Sequence, residues 1–201
     1  MSISYPLTPP STPKESRTTW DIQGTSVVSA SPFTFKSQVL EYSADRWIAE
    51  VSIDPLTRAQ AAPWMAFLAK LKGRVGTFRW GPELLKTAQG TVAGTPLVKG
   101  GSQTGNSLDT DGWTAGSAIL KAGDFIQIDN SFYQILTDVS ANGSGEATLD
   151  VRPRLRTHAD NATIITASPK CLLRLSDDQI RVVEAPQDRL FSIGFSAEEA
   201  L

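Results

Sequence analysis

Residues 122–155 read Ala-Gly-Asp-Phe-Ile-Gln-Ile-Asp-Asn-Ser-Phe-Tyr-Gln-Ile-Leu-Thr-Asp-Val-Ser-Ala-Asn-Gly-Ser-Gly-Glu-Ala-Thr-Leu-Asp-Val-Arg-Pro-Arg-Leu. Phe125, Ile126 and Ile128 fall in one β-type run, and Tyr133, Ile135 and Val139 take alternate positions in the next. Ala147, Leu149 and Val151 alternate with Thr148, Asp150 and Arg152 in a third. Period two separates a buried face from a wet one, so the stretch predicts an antiparallel meander. Asp129-Asn130-Ser131 and Asn142-Gly143-Ser144-Gly145 supply hairpin connections, being rich in residues that tolerate positive φ.

Outward from this meander the composition stays glycine-rich. Ten of the 15 glycines lie between Gly90 and Gly145, with no helical periodicity. Short strands fit Thr91–Val98, Ser107–Thr110 and Ser117–Leu120, with Thr163–Thr166 and Leu172–Leu175 as closing strands. Short strands joined by Gly-rich turns predict a small barrel or sandwich over residues 87–175.

The flanks differ. Residues 1–18 carry Pro6, Pro9, Pro10 and Pro13 and predict an extended N-terminal arm. Strands are expected at Thr25–Ala30, Thr34–Tyr42 and Trp47–Ile53, with Ser43-Ala44-Asp45-Arg46 as the hairpin loop between the last two. Trp64, Phe67, Leu68 and Leu71 form one apolar helical stripe, giving a helix over about 57–72 that Gly73 ends. Thr57 with Gln60 has capping-box spacing, but Pro63 inside the helix favours a start at Ala62 after a loose turn. Val75–Trp80 is a further strand. Gln179–Ala185 and Arg189–Ser196 form a hairpin that must join a larger sheet to be stable. The economical partner is the N-terminal sheet. Residues 19–86 and 176–201 then make one discontinuous domain, with residues 87–175 inserted into it.

Bulk properties exclude several classes. The 19 basic residues are scattered in a chain of net charge −2, which argues against nucleic acid as the partner. No apolar run approaches the roughly 20 residues of a membrane span. No secretory leader is expected at the N-terminus. The single cysteine, Cys171, cannot form an internal disulfide and suits a reducing compartment.

Candidate chemistry is sparse. His158, the only histidine, sits in a polar turn and reads as a surface loop residue. Cys171 reads as a small buried apolar residue. Gly100-Gly101-Ser102-Gln103-Thr104-Gly105 lacks the Gly-Lys-Ser/Thr ending of a phosphate loop and reads as a turn. Asp109, Asp111, Asp124, Asp129 and Asp150 read as solvated acids, because no glutamate closes the Asp109-Thr110-Asp111-Gly112 run as a calcium loop would require. Arg152, Arg154 and Arg156 alternate past Pro153 as a solvated or subunit-facing edge. Trp113 and Tyr133 are the aromatic rings available to a sugar. No residue is assigned a catalytic, cofactor-binding or metal-binding role, and no cofactor is expected.

Several runs together resemble the distal tail proteins of long-tailed, non-contractile bacteriophages. They are Gly123-Asp124-Phe125-Ile126-Gln127-Ile128, Tyr133-Gln134-Ile135-Leu136-Thr137-Asp138-Val139, Gly145-Glu146-Ala147-Thr148-Leu149, Arg152-Pro153-Arg154-Leu155-Arg156 and Leu173-Arg174-Leu175. Leu56-Thr57-Arg58-Ala59-Gln60, the helix, and Gly76-Thr77-Phe78-Arg79-Trp80-Gly81-Pro82 add to them. The resemblance implies a mainly β chain: a β-sandwich-like ring domain with one helix, carrying an OB-like barrel or galectin-like domain. It further implies a non-enzymatic, hexameric ring in the virion tail, placed between the tail tube and the tail-tip hub with its receptor-binding apparatus. A carbohydrate-binding module touching the host surface, or another minor tail protein, is the alternative.

Overall fold

The computed structural model describes residues 3–201, so the first two residues of the expected arm lie outside it. The chain is mainly β with one α-helix. Strand β1 (Arg17–Ala30) and strand β2 (Ser37–Leu56) pair antiparallel as one long hairpin. The loop expected at Ser43–Arg46 is instead continuous strand, so the three expected strands are two. This segment lacks Gly, Pro and Asn, and the Asp45 carboxylate accepts the Arg154 N–H at 3.0 Å with the Arg152 and Arg156 guanidiniums beside it at 4.0 and 3.9 Å. The chain turns at Ser31–Lys36, where Phe35 donates its N–H to the Ser31 carbonyl at 2.9 Å and adopts φ 54°.

Trp47, Ala49, Val51 and Ile53 alternate on the buried face of β2, while Glu50 and Ser52 face solvent. Helix α1 (Arg58–Leu71) lays Ala61, Trp64, Phe67, Leu68 and Leu71 into the same core. It begins at Arg58 rather than Ala62. Gln60 Oε1 accepts the Thr57 backbone N–H at 2.9 Å, and this cap with the burial of Ala61 offsets the bond that Pro63 cannot make. Lys72 and Gly73 then take positive φ and end the helix.

Strand β3 (Thr77–Trp80) follows. The N-terminal arm lies along it: Leu7 donates its N–H to the Thr77 carbonyl at 2.8 Å, and the Tyr5 hydroxyl donates to the Lys70 carbonyl at 2.7 Å. Tyr5 and Leu7 also pack on the first core.

The next segment contains β4 (Gly94–Val98), β5 (Ser107–Trp113), β6 (Ala118–Leu120), β7 (Phe125–Ile128), β8 (Ser131–Ile135), β9 (Val139–Ser140), β10 (Ala147–Arg152) and β11 (Ile164–Ile165). Its main sheet runs β11-β7-β8-β10-β5-β4, and β6 pairs with β9. The two ends of that sheet meet. Val98 donates its N–H to the Ala162 carbonyl at 3.0 Å, and Asn161 to the Val98 carbonyl at 2.9 Å, nearly closing a barrel.

The wet face expected of the meander is absent on β7, where all four residues are buried. Ile126 and Ile128 fill the barrel, whereas Phe125 joins Phe132 in the first core. Those two rings stack at 5.0 Å, and Trp47 meets them at 5.8 and 5.4 Å. The outside of the meander is therefore the joint between the two cores.

Strands β12 (Cys171–Leu175), β13 (Arg181–Ala185) and β14 (Leu190–Glu199) complete the first sheet, ordered β1-β2-β14-β12-β3 with β13 on β14. The segment Leu172–Leu175, expected to close the barrel, belongs to this sheet. Cys171, Leu173 and Leu175 alternate inward, and β12 fits the gap between β3 and β14. Both ends of the chain thus share one sheet, and the barrel strands fall between β3 and β12. Among the described residues no helix is long and apolar enough to cross a membrane.

Candidate functional site

Beyond Gly24 the β1–β2 hairpin leaves the sheet as a two-stranded ribbon. Thr25 pairs with Tyr42, Val27 with Leu40 and Val28 with Val39. Opposed residues share a face and successive pairs alternate, so Val27, Leu40 and Tyr42 stand on one face and Val28 and Val39 on the other. All five are 48–61% exposed, and at the tip Phe33 and Phe35 are 91% and 86% exposed. Exposed apolar side chains thus lie on both faces of the ribbon and at its tip. Among the described residues nothing covers either face of the ribbon.

The neck of the ribbon is gripped from the barrel. Asp45 is 7% exposed, and its carboxylate accepts the Arg154 backbone N–H at 3.0 Å. The Asp45 carbonyl accepts from Arg156 Nη2 at 2.6 Å, and the Arg156 guanidinium also reaches Glu199 at 3.4 Å. Arg154 pairs with Glu41 at 3.6 Å, and Arg46 with Glu198 at 2.8 Å. A Cβ on Gly24 would meet Arg152 Nη2 at 3.3 Å, so the smallest residue stands where that arginine crosses. The row Arg152, Arg154 and Arg156, expected as a solvated or subunit-facing edge, stays exposed at Arg152 and half-buried at the other two, while the Arg154 N–H and the Arg156 guanidinium hold the neck of the ribbon at Asp45. Burial raises the Glu199 carboxyl above its ordinary range, and the Trp47 N–H and Arg156 oppose that rise.

His158 is a second departure from expectation. It is 6% exposed, with Nε2 2.8 Å from the Tyr133 hydroxyl and Nδ1 3.1 Å from Asp129 Oδ2. The Arg156 N–H donates to the same hydroxyl at 2.9 Å, so the network braces the loop bearing the clamp. Burial pushes the Tyr133 phenol up.

The remaining candidates are structural. Cys171 is fully buried and its thiol is pushed well up by burial. Asp124 is buried and accepts the Lys121 N–H at 2.8 Å and the Gln89 N–H at 3.0 Å, so it is not a solvated acid. Asp109 accepts from Thr148 at 2.7 Å, and Asp150 from Thr137 at 3.2 Å. The 100–105 segment is a turn pinned by Gln103, whose amide spans Lys99, Gly100 and Asp109. Trp113 and Tyr133, the rings proposed for stacking on sugar, are 4% and 1% exposed and cannot serve as platforms. Among the described residues no group of three or more His, Cys, Asp or Glu is arranged to hold a metal.

Sequence reading passed over the ribbon because it assigned the turn to Ser43–Arg46. A signal was present: Ser31-Pro32 opens a turn, and no Gly, Pro or Asn breaks the chain from Ser37 to Ile53. Comparison of the chain with protein-family models returns no match, and comparison with curated proteins returns none.

Proposed function

We propose that this chain is a structural virion protein: a subunit of a hexameric ring at the distal end of a long non-contractile phage tail. The ring joins the tail tube to the tip hub and its receptor-binding apparatus, and the subunit assembles there from the host cytoplasm. The role is mechanical rather than catalytic. One observation carries the reading, namely the uncovered apolar ribbon of residues 25–42 held rigidly at its neck. A two-stranded ribbon is marginal in water and invites pairing, so its apolar side chains call for a protein surface. The tail context rests on the sequence resemblance to distal tail proteins. The free outer edges of β1 and β13 offer further places for subunits to meet.

The test is the mass of the purified assembly. The expected species is six times 21.7 kDa, formed by the chain alone or with tube and hub proteins. A chain that stays monomeric with both partners present would overturn the proposal.

A further inference from the structure

We infer that a slot beside the start of β1 receives an extended segment of a different protein, added to the sheet as a further strand. That segment is apolar on alternate residues and carries a carboxylate. β1 is the end strand of its sheet, and among the described residues the backbone of residues 17–20 bonds only to β2. Alternate N–H and C=O groups along it point away from β2 without partners, so this stretch is a template for strand addition. It opens into a slot of about 880 Å³, with residues 14–18 and Trp20 on one wall and the loop 82–87 on the other. Arg17 and Thr18 both line it, so the slot follows the edge of the strand and not one of its faces. Lys14 pairs with Glu83 across the slot and ties its walls together. The volume falls in the roughly 300–1,000 Å³ range of built ligand pockets.

The lining defines the chemistry of the occupant. Leu84 and Leu85 stand 96% and 51% exposed on the loop wall, so the side chains that meet them are apolar. Three cations, Lys14, Arg17 and Lys86, face two carboxylates, Glu15 and Glu83. Glu83 is shared by both lysines, and Arg17 and Glu15 are in no ion pair among the described residues. One positive charge is left over, which an acid on the incoming strand would meet. The exposed apolar stretch of this chain, from Phe33 to Leu40, carries Lys36 and no acid. Its charge has the wrong sign for the slot, so the occupant comes from another protein.

Fluorescence anisotropy of labelled heptapeptides, titrated with the full-length chain, tests this. One peptide alternates Val or Leu with Thr and one central Asp; a second has Lys in place of that Asp; a third set tiles this chain's own sequence. The Asp peptide is expected to bind, and the Lys peptide roughly tenfold more weakly. Arg17→Glu should reverse that order, and Leu84→Ser with Leu85→Ser should weaken both. All three side chains are exposed, so an unchanged melting temperature verifies that the variants fold. N-methylation of alternate peptide bonds should abolish binding, because strand addition needs those N–H groups. The inference fails if neither alternating peptide binds, or if binding ignores Arg17→Glu or N-methylation. A tiled peptide that outcompetes the Asp peptide would make a second copy the occupant and overturn it as well. The ring reading is judged separately by the mass of the assembly, which none of these results changes.

Discussion

Glu199 illustrates how burial writes a pH dependence into one side chain. Its carboxyl sits beside Asp45 and Arg156, 5% exposed, and burial raises it above the ordinary value of 4.5. The folded state therefore binds this proton more tightly than the unfolded chain. The resulting stability is complete below about pH 4.5 and is lost as pH rises through the raised value. Glu199→Gln keeps an acceptor for the Trp47 N–H but removes the titration. Urea unfolding of both proteins from about pH 4 to about 8 should show the difference moving in the variant's favour as pH rises. Parallel curves would show that Glu199 titrates as it does in the unfolded chain. Nothing in the sequence around Glu199 marks it, because its surroundings come from β2 and from the barrel. His158 misled for the same reason. A polar neighbourhood in sequence became a buried one in space once Tyr133 and Asp129 closed over it.

The β1–β2 hairpin is where element-scale reasoning decides function. Inside the sheet its inward residues meet α1; outside it, the same strand chemistry faces water on both sides. Fully burying one phenylalanine contributes about 1.5–3 kcal/mol, so Phe33→Ser with Phe35→Ser should weaken assembly by roughly 100-fold or more. Because both rings are nearly fully exposed in the single chain, the monomer's melting temperature should move by no more than a few degrees. Analytical ultracentrifugation and thermal unfolding measured together check this. A variant that assembles normally would show that the ribbon tip is not an assembly contact. Period-two alternation revealed that these residues are strand, yet alternation reports a face and not what covers it.

At the scale of the whole molecule, two cores are locked by a hydrophobic joint and an ionic clamp. Trp47, Phe125 and Phe132 make the joint, and the Trp47 indole N–H donates to the Phe132 carbonyl at 2.8 Å. Asp45 makes the clamp. Asp45→Ala would leave the Arg154 N–H without its acceptor and take the carboxylate away from the Arg152 and Arg156 guanidiniums, costing roughly 1–3 kcal/mol. The barrel and the first sheet should then unfold less cooperatively, with tryptophan fluorescence and far-ultraviolet circular dichroism giving separate midpoints. A single coincident transition at unchanged denaturant would show that the clamp does not couple them.

Local pattern was sufficient for the mainly β class, the one helix, the meander and the return of the C-terminal hairpin to the N-terminal sheet. Each depends on periodicity, turn chemistry or capping within a short window, which the residues carry themselves. Only the tertiary structure decided which faces were covered. It moved Cys171–Leu175 into the first sheet, buried both sides of β7, set Arg154 and Arg156 against Asp45, and carried Val27 to Tyr42 out into solvent. Burial is a property of what packs opposite, and for these residues the opposing side chains lie far away in the chain or, on the reading proposed here, in another copy of it.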